Sequence, residues 1–171
     1  MATVIIPFRV DDPKRRLAPL PDDARRQLAW AMFVDVWCAC SVIAEPVLAG
    51  LPHSQEEAVV ESLRHLYGPV AIVNADLPCA QPADIRALID AAPALVAAPD
   101  GTTNALSLSS PDGFRPVYGP GSAERFRELG LADLELPNLA HDVDTLDDLE
   151  RVADRVGTRT REVLDSLRVL E

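Results

Sequence analysis

Two hydrophobic periods alternate along this chain, and their alternation predicts an open α/β sheet. Val70 to Val73 are four consecutive apolar residues, the pattern of a short strand covered on both faces. Val4-Ile5-Ile6 has the same character and is expected to break at Pro7. Asp22 precedes a stretch in which Leu28, Met32, Val36 and Cys40 recur at helical spacing. Pro46 to Ala49 predicts a second strand, and Gln55 to Tyr67 a helix that Gly68-Pro69 ends before Val70. Pro82 starts a helix to about Asp90. Leu95 to Ala98 and Ala105 to Leu108 read as strands on either side of Gly101-Thr102-Thr103-Asn104. Ser122 to Leu129 predicts a short helix, and Leu134 to Leu136 an edge strand. Thr145 and Thr158 start the last two helices, to about Val156 and Leu167. Such alternation argues for a mostly parallel sheet with helices on both faces, built as one domain over residues 1–171.

Composition narrows the class. The 171 residues are 48% hydrophobic and 25% charged, an ordinary globular balance with no run long enough to span a membrane and no signal-peptide pattern. Cys38, Cys40 and Cys79 lack paired metal-ligand spacing, so reduced thiols are expected in a cytoplasmic protein. A net charge of −11 with no basic stripe argues against nucleic acid and against a membrane surface as partners. Of the 16 lysines and arginines only Lys14 is a lysine, and it stands in a basic loop. Trp30 and Trp37 on the first predicted helix read as core or as a homodimer interface.

Four segments can carry chemistry. Asp76 lies just past the end of the Val70 strand, where open sheets place their ligands, and a carboxylate there suits Mg²⁺ held against phosphate oxygens. The plainer reading is a turn or cap aspartate. The loop PFRVDDPKRRLAP supplies Arg9, Lys14, Arg15 and Arg16 between a strand and a helix, a way to wrap a phosphate chain without P-loop glycines. In HDVDT, Asp142 and Asp144 share a side if the backbone is extended, and Asp144 or Thr145 caps the following helix. Finally, GTTNAL offers Thr102, Thr103 and Asn104 as donors, while YGPGSAERF offers Gly119, Gly121 and Ser122 where a helix begins. Ser122 is equally expected to serve as a helix cap. His53, His65 and His141 show no ligand spacing, and there is no serine nucleophile elbow.

Taken together, PFR…PKRRLAP, NADLP, DGTTNAL, YGPGSAERF and DVDTLDDL resemble, in order, the 2-phospho-L-lactate and phosphoenolpyruvate guanylyltransferase family of coenzyme F420 biosynthesis. The resemblance implies a three-layer nucleotidyltransferase fold of the nucleotide-diphospho-sugar transferase type. It implies transfer of GMP from GTP onto the phosphate of a three-carbon acid, releasing pyrophosphate. Asp76 and Asp142 match the family's metal-binding acids, with Asp144 as a third ligand for Mg²⁺. Lys14 and Arg16 match the nucleotide-phosphate loop. Thr103, Gly119 and Ser122 match positions for the acid substrate, with Arg9, Thr102 and Asn104 beside them. Two alternatives stay open: a nucleotidyltransferase acting on molybdopterin or a sugar phosphate, and a shortened homologue that binds nucleotide without catalysis. The second alternative rests on the short segment from Pro46 to Tyr67.

Overall fold

A computed structural model describes residues 2–9, 14–50 and 54–168. Residues 10–13 of the basic loop, and His53, lie outside that description. The strands are β1 (Thr3–Phe8), β2 (Glu45–Gly50), β3 (Val70–Val73), β4 (Ala94–Ala97), β5 (Thr103–Leu108) and β6 (Ala132–Asp133). The helices are α1 (Asp22–Ser41), α2 (Gln55–Leu63), α3 (Pro82–Asp90), α4 (Ser122–Glu128), α5 (Pro137–Ala140), α6 (Leu146–Val152) and α7 (Thr158–Arg168).

The six strands form one sheet in the order β2-β1-β3-β5-β4-β6. The β1–β2, β1–β3 and β4–β6 pairs are parallel, whereas β5 runs antiparallel to both its neighbours. The short connection from β4 to β5 explains the reversal, because a parallel pair needs a long crossover and an antiparallel pair needs only a tight loop. Here Ala98 N–H donates to Thr102 O and Gly101 N–H to Ala98 O, closing that loop at a glycine with φ of 85°. The reversal matters for the site. It brings the first residues of β5, Thr103 and Asn104, to the same edge as the carboxyl end of β3, with Val73 paired to Ala105.

Successive strand residues feed opposite layers, as the period of two requires. Val4, Ile6, Ala71 and Val73 pack into one cluster with Val36, Cys40, Ile85 and Leu88 of α1 and α3. Ile5, Val70 and Ile72 pack on the other face with Val59 and Leu63 of α2 and Phe126 of α4. A third cluster joins Leu28 and Met32 of α1 to Leu149, Val152 and Leu164 of α6 and α7. It also contains Leu17, from the 3-10 turn Arg15–Leu17 of the basic segment, and Cys79 and Val143 from two loops.

Several boundaries differ from expectation. β1 does not break at Pro7 but runs to Phe8, pairing Pro7 with Ala49. Its two-sided ladder ends at Ile5, so proline is tolerated beyond it. α2 stops at Leu63, its last buried residue, because Arg64 and His65 are exposed and Tyr67 is 89% exposed. The edge strand is Ala132–Asp133, not Leu134 to Leu136. Pro137 begins α5, an element the sequence pattern did not predict, and draws the chain off the sheet. α6 ends at Val152 rather than near Val156, and Thr145 is its cap through a capping box with Asp148. Trp37 packs against the first cluster, while Trp30 is 51% exposed beside Phe8 and Phe33.

Candidate active site

The carboxyl ends of β1 and β3, the start of β5 and the HDVDT loop converge on one edge of the sheet. Asp76 follows β3 by three residues, and its backbone carbonyl accepts from Val143 N–H at 3.0 Å, tying the two acidic loops together. The backbone is extended at His141 and at Thr145, the two ends of this stretch, the conformation in which alternate side chains oppose each other. Val143 is fully buried in the third cluster, whereas Asp142 and Asp144 turn toward Asp76. One carboxylate oxygen from each of Asp76, Asp142 and Asp144 lies within 4.8 Å of the others.

Lys14 reaches into this group. Its Nζ donates to Asp76 Oδ2 at 2.6 Å, Asp144 Oδ1 at 3.1 Å and Val143 O at 3.2 Å. Burial alone would lower the Lys14 pKa, but the Asp76 and Asp144 carboxylates outweigh it and push the ammonium above its ordinary range. Arg16 donates to the other Asp144 oxygen at 3.1 Å from a mostly exposed position. Asp142 behaves oppositely. Burial, then the neighbouring charge of Asp76, raises its carboxyl to about 6, partly offset by the Asn104 amide that donates to it at 3.3 Å. Crowded carboxylates of this kind want a cation. Asp76 Oδ1 is buried and has no hydrogen-bond partner among the described residues, which leaves one lone-pair set directed into the cluster's surroundings unmatched.

A pocket of about 400 Å³ opens beside these acids, lined by Phe8, Arg9, Lys14, Gln55, Asn74 and Asp76 among others. That volume is within the range of small-molecule sites. Gln55 Nε2 donates to Asn74 Oδ1 at 2.9 Å, and Asn74 Nδ2 in turn donates to Thr103 O. Gln55 and Asn74 were not singled out in the sequence. The only available signal was Asn74's place in NADLP at the end of a buried strand.

The β5–α4 side completes the arrangement. Thr103 Oγ1 and Ser122 Oγ share a hydrogen bond at 2.9 Å, and both residues are buried. Ser122 therefore does not cap α4; Gly121 stands at that position with φ of 72°. Thr102 is tied into a turn by Asp100, which accepts from both its N–H and its hydroxyl. Gly119 has φ of 100°, a conformation open to glycine at little cost. Lys14, Asp76, Asp142, Asp144, Arg16 and Asn104 thus form one contiguous group, and Thr103, Gly119 and Ser122 a second, joined through β5. His141 is outside the acid cluster, and its buried Nδ1 has no partner among the described residues. All three cysteines are free, and burial pushes the Cys40 thiol up to about 12, so it is inert as a nucleophile.

No family model matches the chain. It is 36% identical to the 2-phospho-L-lactate guanylyltransferase of Haloferax volcanii, across 94% of this chain and 89% of that protein. It is 32% identical to the phosphoenolpyruvate guanylyltransferase of Conexibacter woesei, across 88% of this chain and 86% of that one. The chain belongs to this guanylyltransferase family. A solved structure from Desulfovibrio desulfuricans G20, assigned to the nucleotide-diphospho-sugar transferases, superimposes with a TM-score of 0.75 at 17% identity, covering 99% of this chain and 96% of that one. That likeness establishes the three-layer nucleotidyltransferase fold expected from the motifs. These alignments run over 183 and 192 positions against the 171 residues of this chain, so both relatives carry residues that it lacks. Among the described residues no helix is long and apolar enough to cross a membrane.

Proposed function

We propose that this protein transfers GMP from GTP to the phosphate of 2-phospho-L-lactate or phosphoenolpyruvate, releasing pyrophosphate, as a Mg²⁺-dependent step of coenzyme F420 biosynthesis. The observation that carries the reading is the cluster of Asp76, Asp142 and Asp144, in which Asp76, together with Lys14, lines the 400 Å³ pocket. The donor set fits a hard divalent ion: three carboxylates, one with a buried and unpartnered oxygen. Asp76 and Asp142 would hold Mg²⁺, with Asp144 as a third ligand. Bound there, the ion would supply positive charge against the phosphates of the nucleotide.

The remaining work falls to the chain's own groups. The nucleophile is already a phosphate oxygen, so little general-base help is needed, and the obstacle is repulsion between two anions. Lys14 and Arg16 reduce that repulsion and stabilise the leaving pyrophosphate. The pocket lined by Arg9, Gln55 and Asn74 takes the nucleotide. Thr103, Gly119 and Ser122, with Thr102 and Asn104 beside them, hold the acceptor's carboxylate and phosphate. Asp76 lines the pocket while Asp142 is held by Asn104 of β5, so the acids stand between the two substrate sides. Positioning and electrostatics then suffice, without a covalent enzyme intermediate.

The test is pyrophosphate release from GTP with Mg²⁺ and each acceptor in turn. Release with one acceptor is expected, and Asp76→Ala or Asp142→Ala should lower turnover by about a hundredfold or more. Full turnover in both folded variants would remove the metal assignment. Release only with molybdopterin or a sugar phosphate would overturn the acceptor.

A further inference from the structure

We infer that Arg125 is a positioning residue for the acceptor's anionic groups, acting through the turn that it holds; this rests on the acceptor side proposed above. Arg125 lies one turn into α4, and its side chain points back toward the start of the helix. Its guanidinium makes four hydrogen bonds to three carbonyls of the preceding turn. Nε and Nη2 both donate to Val117 O at 3.1 and 3.0 Å, Nη2 also donates to Tyr118 O at 3.0 Å, and Nη1 donates to Pro120 O at 2.8 Å. A planar fork with five donors is the side chain suited to this task.

The consequence follows from peptide geometry. In a trans peptide the C=O and the N–H of the same plane point in opposite directions. With Val117 O turned onto Arg125, the Tyr118 N–H must point away, and it does, donating to Glu56 Oε1 at 2.8 Å. The same rule turns the N–H groups of Gly119 and Gly121 away from the guanidinium, because the Tyr118 and Pro120 carbonyls face it. Neither N–H donates to any acceptor among the described residues. Both glycines have positive φ, 100° and 72°, so the turn needs a restraint that their own side chains cannot give. Ser122 adds its N–H to Gly119 O and its hydroxyl to Thr103, which fixes the far end of the turn. Arg125 therefore presents two backbone donors at fixed spacing, the chemistry that binds a carboxylate or phosphate. It does so from behind the turn, without touching the ligand.

Glycine-selective ¹⁵N labelling tests this directly, since the chain has only 8 glycines. Adding phosphoenolpyruvate or 2-phospho-L-lactate to the wild type should move the Gly119 and Gly121 amide signals. In Arg125→Ala those shifts should disappear, and the KM for the acceptor should rise about tenfold or more while the KM for GTP stays within about twofold. Methylguanidine should restore part of the loss. Arg125→Lys keeps the charge and most of the packing but cannot fork across three carbonyls, so it should show the same split and serves where the alanine variant does not fold. Equal changes in both KM values, or no change in either, with an active wild type would overturn the inference alone. A wild type that neither binds nor turns over these acceptors would overturn the proposed acceptor side, and this inference with it.

Discussion

Lys14 Nζ lies 2.6 Å from Asp76 Oδ2, with Asp144 Oδ1 at 3.1 Å, so an ammonium stands among the carboxylates assigned to the metal. Lys14 is also the one non-glycine residue with positive φ among the described residues, at 42°. That backbone costs about 1–2 kcal/mol, which its half-buried ion pairs offset. The ammonium and a divalent ion compete for the same charge. In the proposed reaction GTP would change the balance by offering Lys14 its phosphates. Lys14→Ala should therefore bind Mn²⁺ more tightly than the wild type in the absence of nucleotide, by about tenfold, while losing affinity for GTP. Arg16→Ala removes an equal charge from the exposed side of Asp144 and should change Mn²⁺ affinity much less. Mn²⁺ titration followed by electron paramagnetic resonance separates them. Equal effects in the two variants would mean that net charge alone matters.

Asp142 carries a cost that its proposed role explains. Its carboxyl is raised to about 6, from an ordinary 3.8, by burial and by Asp76. Between those two values the folded chain binds more protons than the unfolded chain, so this group's contribution to stability falls as pH rises. At neutral pH the ionised carboxylate is destabilising in the metal-free protein. Asp142→Asn should therefore raise metal-free stability at pH 7.5 by about 1–2 kcal/mol, a figure reduced to allow for partial solvent exposure. The gain should shrink to a few tenths of that near pH 3.5, where the carboxyl is protonated in the folded chain and mostly protonated in the unfolded one, and Mn²⁺ binding should be lost. Urea melts at both pH values check the sign. A less stable variant at pH 7.5 would show that the carboxylate is not strained.

The strands that carry the site were legible because they are uniformly apolar and end in polar residues: Val70 to Val73 before Asp76 is the clearest case. Asp142 and Asp144 do share a side, with Val143 buried between them. The direction of β5 was less visible. It is encoded in the short distance from Ala98 to Thr103, a tertiary consequence of loop length rather than of hydrophobic period. Arg125, Gln55 and Asn74 were hidden because single polar residues on helices and strand ends look like ordinary surface positions until packing shows what they face. Pro7 misled in the opposite direction: a strand-breaking residue is harmless where the ladder has already lost one partner.

Thr103 and Ser122 share a buried hydroxyl–hydroxyl bond at 2.9 Å that links β5 to α4. Removing one hydroxyl leaves the other in an apolar setting without its partner, which costs about 1–3 kcal/mol. Removing both leaves no orphan. Thr103→Val and Ser122→Ala should each destabilise the fold, and the double variant should lose clearly less than their sum. A double-mutant cycle by urea denaturation reads the coupling. Strict additivity would mean that the two hydroxyls are satisfied independently.

Gly157 and Asp35 set the position of α7, and through it the three loops of the site. Asp35, buried on α1, accepts from the backbone N–H groups of Arg159 at 3.0 Å and Thr160 at 2.9 Å, so one helix caps the start of another. Gly157 lies against that carboxylate so closely that an added Cβ would collide with Asp35 Cγ and both of its oxygens. Neither side can yield easily, because Gly157 N–H also donates to Pro78 O at 2.7 Å. The third core cluster then connects α7 to Leu17, Cys79 and Val143, which sit next to the basic loop, the Asp76 turn and the Asp142–Asp144 stretch. Gly157→Ala should cost about 1–3 kcal/mol by overpacking, and Asp35→Ala about 1–2 kcal/mol by loss of the cap. In Gly157→Ala/Asp35→Ala the collision is gone, so the double variant should lose less than the two single losses combined. The folded fraction of Gly157→Ala should also bind Mn²⁺ more weakly, because shifting α7 loosens the loops that carry the acids. Thermal melts and Mn²⁺ titration on the three variants decide it. A fully stable Gly157→Ala would show that the α1–α7 junction has room the observed contacts do not allow.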